Sequence, residues 1–373
     1  MEFIILLGVF EALFLTGLLL CKKNKSVSDK VLTMIFLLYA LNIFFSYLEV
    51  YNRTHNFPYH FFINASVPLL ILHGPMLWFY IKSQTSQNFR IKPLYLFHFI
   101  PFLIFFIDQY IEIYSLTSKE KIFIASGDLY RSYITYPIFV ILMAVSSIGY
   151  FIWSLILLKN YRLKIKTFFS QIENIDLNWL RTLLIAALIC YSINYGIFIA
   201  DIIHQFTPPG LLHAISFSIG SVYILFLGFY GHKQGNLFCS AKINLDLNKA
   251  IETVPIQNRL KEDEEIFIKN LLEIMKTQKP FLNPDLNIAR LADQLSVTAE
   301  YLSVILNNKL NVNFFDFINQ YRVNEFKLKC KDNNNKNLTL LGIAYDCGFN
   351  SKATFNRVFK KSTGITPGEY KNK

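Results

Sequence analysis

At 373 residues, with 53% hydrophobic, 16% aromatic and only 17% charged residues, the chain is too apolar for a soluble protein, and a membrane class follows. The formal charge of +11 is shared along the chain: residues 1–230 carry 16 Lys and Arg against 11 Asp and Glu, and residues 231–373 carry 21 against 15. This favours a polyanion for the C-terminal part and basic loops near a membrane. The five cysteines, Cys21, Cys190, Cys239, Cys330 and Cys347, have neither CxxC nor Cys/His ligand spacing, which argues against a disulfide scaffold or a zinc site.

Seven apolar runs fill the first part: 3–21, 31–51, 61–81, 94–114, 133–158, 180–203 and 211–230. Each has about the 20 residues needed, at 1.5 Å per residue, to cross roughly 30 Å of hydrocarbon. The first is preceded by Glu2 and followed by its basic residues, the reverse of a cleaved signal peptide, so it is expected to stay as a membrane helix. The connections alternate between a basic side (Lys22, Lys23, Lys25 and Lys30; Lys82, Arg90 and Lys92; Lys159, Arg162, Lys164 and Lys166) and a poorer one with Arg53, Lys119, Lys121 and Arg131. Eleven basic residues against four place the richer side in the cytoplasm, and an odd number of crossings then puts the N-terminus outside. Pro68, Pro75, Pro101 and Pro137 lie within the runs and are expected to kink their helices.

Residues 231–261 are polar and read as a juxtamembrane linker. From Glu262 to Gln278 the pattern predicts one amphipathic helix, with Glu262, Asp263, Glu264 and Glu265 at its positive dipole end and Phe267, Leu271, Ile274 and Met275 on one face. Such a helix packs on the domain that follows or serves as a short dimerising element, and two heptads are few for the latter. The expected domains are 1–230, 231–280 and 281–373.

The last domain contains one helical device twice. Ile288–Leu295 is an apolar helix that breaks at Ser296 and Val297, and a second helix starts behind Thr298 with Tyr301, Leu302, Ile305 and Leu306 on one face. Leu341–Ala344 turns at Cys347, Gly348, Phe349 and Asn350 and restarts at Ser351, with Phe355, Val358 and Phe359 facing inward. Ala292 and Ala344 are small where the helices of each pair cross, which lets the backbones approach. Between the pairs, Asn313–Lys331 predicts a long helix with Phe314, Phe317, Ile318, Tyr321 and Phe326 inward, and Thr339 is the expected N-cap of the next helix.

The residues 291–297 (LADQLSV) with Tyr301, Leu302 and Ser303, 314–323 (FFDFINQYRV), 343–351 (IAYDCGFNS), 354–361 (TFNRVFKK), 364–367 (GITP) and Tyr370 resemble the AraC/XylS-type transcription regulator domain. The resemblance covers about a quarter of the chain. The apolar part resembles the membrane-anchored regulators of that class in layout only. The implied fold is all-α: a seven-transmembrane-helix N-terminal domain followed by two helix-turn-helix modules joined by a long helix. The implied partner is double-stranded DNA, with the second helix of each module in the major groove and the two reading helices about 34 Å apart.

Carried onto this sequence, the second reader offers Asn350, Lys352, Thr354, Asn356, Arg357 and Lys360. Asn suits adenine and Arg suits guanine, each through two hydrogen bonds, whereas Lys meets phosphate as a point charge. The first reader offers Ser303 and Asn307, exposes Glu300 and Val304, and has no basic residue before Lys309, so it reads as a positioning element. Val304, Phe326 and Gly342 depart from the family's usual polar or basic, Ala, and acidic residues.

Ionisable groups inside the apolar runs are site candidates because hydrocarbon penalises them. Glu49, Glu112 and His204 fall at helix ends that reach water, while Glu11, His73, Asp108 and Asp201 are the candidates for an outward-opening ligand cavity, negative and lined by aromatics. Three functions compete. The first is a one-component regulator whose membrane part senses a small ligand or membrane state. A transporter or channel with an accessory domain would show paired repeats, and a membrane enzyme would show an HExxH or a close Ser/His or Asp/Asp set. Neither pattern occurs in the sequence, so no catalytic residue, metal or cofactor is expected. The resemblance implies a bacterial inner-membrane protein with its DNA-binding domain in the cytoplasm. Its expected partners are DNA, the bilayer, an unknown small ligand, and further a second copy of the chain and RNA polymerase.

Overall fold

The structure is a computed structural model that describes residues 2–86, 89–173, 175–204, 210–234, 261–332, 335 and 337–371. The described residues are helical, with no strand and one isolated antiparallel bridge between Phe169 and Asn287. They divide into two compact units, Met1–Lys159 with Asn178–Ala241, and Asn160–Leu177 with Lys242–Lys373. The second unit thus includes a loop from the middle of the apolar part. The expected linker falls largely on 235–260, outside the described residues.

In the first unit, α1 (Glu2–Cys21) and α2 (Val27–Thr54) form a hairpin closed by a capping box, in which Ser26 accepts from the Asp29 amide and Asp29 also takes Lys22 at 2.8 Å. Then come α3 (Val67–Thr85), α4 (Ile100–Gln109), the short α5 (Ser118–Ser126), α6 (Thr135–Ile165), α7 (Asn178–His204) and α8 (Leu211–Gln234). A 3-10 stretch, Pro93–Phe99, leads into α4 and a π-turn, Tyr110–Tyr114, extends it. Helix packing relies on small residues: a Cβ on Gly8 would come within 2.9 Å of Ser221 Cβ, and one on Gly74 within 3.2 Å of Ser147 Cα. Large apolar side chains such as Phe10, Leu103, Ile141, Val145 and Val222 are exposed, which is compatible with contact with lipid.

Among the described residues, six helical segments are long and apolar enough to cross a membrane: Glu2–Cys21, Val27–Thr54, Pro93–Tyr114, Thr135–Ile165, Asn178–His204 and Leu211–Gly228. The run expected at 61–81 forms α3 and is not among them. Pro68, His73, Pro75 and the end Lys82–Gln84 lower its hydropathy, and its residues from Met76 to Ile81 are buried by protein. A helix enclosed by its neighbours does not need a lipid-compatible surface. The prolines also differ from expectation. Pro68 and Pro101 occupy the first positions of α3 and α4, and Pro137 lies in the first turn of α6, where no intrahelical N–H bond is lost; only Pro75 lies inside its helix.

The second unit packs α9 (Lys261–Thr277), α10 (Ile288–Gln294), α11 (Ala299–Val304), α12 (Phe314–Lys331), α13 (Leu340–Asp346), α14 (Lys352–Thr363) and α15 (Pro367–Lys371). Phe267, Leu271 and Met275 of α9 are buried with Leu291, Leu302 and Phe314, so the amphipathic helix is part of this core. A second aromatic cluster centres on Phe326, whose ring lies 4.7 Å from Phe355 and 5.3 Å from Phe359. The large residue at 326 fills the space between α12 and α14 and is fully buried.

Candidate nucleic-acid interface

The two helix pairs share one local geometry, offset by 52 residues. The Val297 amide donates to the Ala292 carbonyl at 3.0 Å, and the Phe349 amide to that of Ala344 at 3.2 Å. Ser296 (φ +55°) and Gly348 (φ +90°) occupy the same left-handed turn position. Each second helix has its own cap: Thr298 accepts from the Tyr301 amide, and Ser351 from those of Ala353 and Thr354. Thr339 caps α13 by accepting from Gly342.

Helix α14 separates cleanly into two faces. Phe355, Val358 and Phe359 are buried, while Lys352, Asn356, Arg357 and Lys360 are exposed, as is Asn350 just before the cap. Among the described residues, none of the side chains of Lys352, Asn356, Arg357 or Lys360 has a hydrogen bond or ion pair. From Lys352 to Lys360 the stripe covers about 12 Å along the axis. Thr354 is placed differently: it is 2% exposed, turned toward the core beside Phe355, which takes it off the outward face. Lys361 at the helix end pairs with Asp316 at 2.9 Å.

The corresponding surface of α11 is poor in donors. Asn307 lies in a π-turn, Ile305–Lys309, and its Nδ2 donates to the Ser303 carbonyl at 2.8 Å and to Ser303 Oγ at 3.2 Å. Lys309 pairs with Glu264 of α9 at 2.7 Å, which raises its ammonium pKa. Two sequence candidates therefore bond one another, and the nearest cation is engaged.

Sequence reasoning did not foresee the segment 166–171, which crosses the second unit as a strap. The Phe315 amide donates to the Lys166 carbonyl at 3.0 Å, and the Ile288 amide to that of Phe168 at 2.9 Å. Ser170 Oγ donates to the Leu286 carbonyl, Asn319 Nδ2 to the Ser170 carbonyl at 3.0 Å, and Gln171 Nε2 to the Gly348 carbonyl at 2.9 Å. The strap thus touches the start of α10, the body of α12 and the turn before α14. Its apolar Phe168-Phe169 pair within a basic loop was the available signal. Arg322 of α12 lies beneath it, fully buried, donating from Nε to the Phe281 carbonyl at 2.8 Å and from Nη2 to the Asn283 carbonyl at 2.9 Å, with Ser170 Oγ at 3.4 Å. Burial pulls its guanidinium below the ordinary value, and the carbonyls replace the lost water. Burial also lowers the Lys166 ammonium, against the pull of Asp316, and Arg357 and Lys361 are close enough to add repulsion. The Cys347 thiol is pushed up to about 12 by burial, which keeps it protonated and unreactive.

The four ligand candidates of the first unit are not gathered in one place. His73 lines a cavity enclosing about 1270 Å3, open mouth included. Asp201 is paired with Arg131 at 2.9 Å, Glu11 lies against Gly228, and Asp108 is half-buried on α4 outside the lining. Asp201 belongs to a buried ion network in which Asp128 takes Arg53 at 2.7 Å and Arg131 at 3.2 Å, and Arg53 also takes Glu49 at 3.1 Å.

Residues 291–373 match the family model described as a helix-turn-helix domain, less than a quarter of the chain. This region is an AraC-type helix-turn-helix domain, the kind found in DNA-binding transcription regulators. No curated protein and no solved structure matches the chain.

Proposed function

We propose that the chain is a membrane-anchored, sequence-specific transcription regulator, without a catalytic step, whose apolar unit senses a ligand and controls the DNA-binding unit. The observation that carries this reading is the outward stripe of α14, with Lys352, Asn356, Arg357 and Lys360 unbonded among the described residues on a helix fixed from behind by Phe355 and Phe359. Arg357 and Asn356 read bases, and Lys352 and Lys360 hold phosphates. The α10–α11 pair acts as a second, weaker module that sets register, with α12, about 27 Å long, as the spacer.

The burial of α3 among its neighbours supports it as a seventh crossing. Seven crossings, with the Lys and Arg excess on one side, put the N-terminus outside a bacterial inner membrane and the DNA-binding unit in the cytoplasm. The signal has a covalent route, because α6 runs into the strap and the strap into α7. A shift of either helix end must move or strain a segment that is bonded to both helix pairs, provided that the ligand binds two states unequally.

Chromatin immunoprecipitation of the full-length protein beside Arg357→Ala tests the reading. The variant is expected to lose about 1–3 kcal/mol of operator affinity and with it the sharp peaks; superimposable enrichment profiles would defeat the assignment.

A further inference from the structure

We infer that the cavity of the first unit binds a small amphipathic amine, its ammonium group on Glu112 and its apolar body among tyrosine and phenylalanine rings. The inference deepens the sensing role proposed above and rests on it only for its biological use. The cavity lies at the end of the bundle where α2, α4 and α7 finish and α3, α6 and α8 begin, the end whose connections are poor in Lys and Arg. Its walls include Tyr133, Tyr136, Phe139, Tyr191, Tyr195 and Phe198, whose faces suit both an apolar body and a cation. The lining contains one carboxylate, Glu112, and no Lys or Arg.

Three observations place a ligand there. Both oxygens of Glu112 lie 3.0 Å from the Thr135 hydroxyl, which has one proton and leaves one oxygen without a donor among the described residues. Three lining side chains carry buried polar atoms with no partner among the described residues: Gln109 Oε1, His73 Nε2 and the Tyr136 hydroxyl, and Gln109 and His73 are themselves more than nine-tenths buried. Buried polar atoms are costly to leave unmatched, and a hydrogen-bonding guest removes that cost. The wall carries a π-turn, Tyr110–Tyr114, which contains Glu112 and Ile113, and such turns are frequent at functional sites.

Charge selects the guest. Asp108 stands one turn before Glu112 on the same helix, and the nearby guanidiniums of Arg53 and Arg131 are committed to Glu49, Asp128 and Asp201 at 2.7–3.2 Å. Five carboxylates against two guanidiniums repel an anion and leave Glu112 without a cationic partner.

The test is thermal unfolding of the full-length protein in detergent, without DNA, titrated with phenethylamine, benzyltrimethylammonium, 2-phenylethanol, phenylacetate and palmitate. The two cations are expected to raise the unfolding temperature saturably, and the neutral and anionic probes to leave it unchanged. Glu112→Gln should weaken the apparent affinity by at least about tenfold while Tyr136→Phe weakens it by a few-fold. Should Glu112→Gln fail to fold, Glu112→Asp, which withdraws the carboxylate by one methylene, takes its place with the same expected sign. Stabilisation by palmitate or phenylacetate equal to that by the amines, an amine effect that survives the Glu112 substitution, or no amine effect at millimolar concentration would overturn the site. Immunoprecipitation with Arg357→Ala reads the regulator assignment without any ligand, so the two failures are distinguishable.

Discussion

Gly348 and Ser296 hold equivalent turns, yet only one of them is confined to glycine. Ser296 is exposed and its side chain meets open solvent, so a residue with a Cβ is tolerated at φ +55°. At Gly348 a Cβ would run into the Phe281 carbonyl oxygen and lie 3.0 Å from Arg322 Nε, in addition to the strain of φ +90°. Gly348→Ala is therefore expected to destabilise the second unit by about 1–3 kcal/mol. Denaturant unfolding followed by tyrosine and tryptophan fluorescence, with hydrogen exchange to localise the loss to α13 and α14, checks it; an unchanged midpoint would mean that the turn can relax. Arg322 makes the complementary point. Its charge is held by backbone carbonyls, so its partners are a matter of chain path and cannot be read as a salt bridge from sequence.

At the level of elements, the strap and α9 decide how the two helix pairs are supported. Helix α9 buries Phe267, Leu271 and Met275 in the α10–α11 core and engages Lys309 through Glu264. The strap adds hydrogen bonds at the Leu286–Ile288 segment, at Asn319 and at Gly348. The double substitution Ser170→Ala with Gln171→Ala removes three side-chain bonds, to the Leu286 and Gly348 carbonyls and from Arg322, each of about 1 kcal/mol. Its expected result is faster amide exchange at Ile288 and Phe315, the two amides that donate to strap carbonyls, together with altered basal transcription in a reporter strain. Exchange at both amides equal to the parent protein would show that the strap's backbone contacts alone hold it in place.

For the whole molecule, the number of crossings fixes which side each loop faces. With α3 as a crossing, residues 55–66 and 86–99 lie on opposite sides; without it they share one side. In a cysteine-free background, Tyr59→Cys should react with a membrane-impermeant maleimide in intact cells and Lys92→Cys only after permeabilisation. Equal labelling of the two would remove the seventh crossing and the proposed outside N-terminus with it.

Much of this protein was determined by local pattern. Length and hydropathy marked the apolar helices, which bond their backbone internally, and the capping residues Thr298, Thr339 and Ser351 set helix starts, because they satisfy amides within their own turn. The stripe of Lys352, Asn356, Arg357 and Lys360 was likewise legible from the period of an amphipathic helix. Tertiary structure decided what depends on distant groups. It buried Thr354, paired Asp201 with Arg131, closed a cavity around Gln109 and Glu112, and laid the 166–171 strap across the second unit. The ion pair, the cavity and the strap each turn on residues tens of positions away, which the spacing of neighbouring residues does not encode.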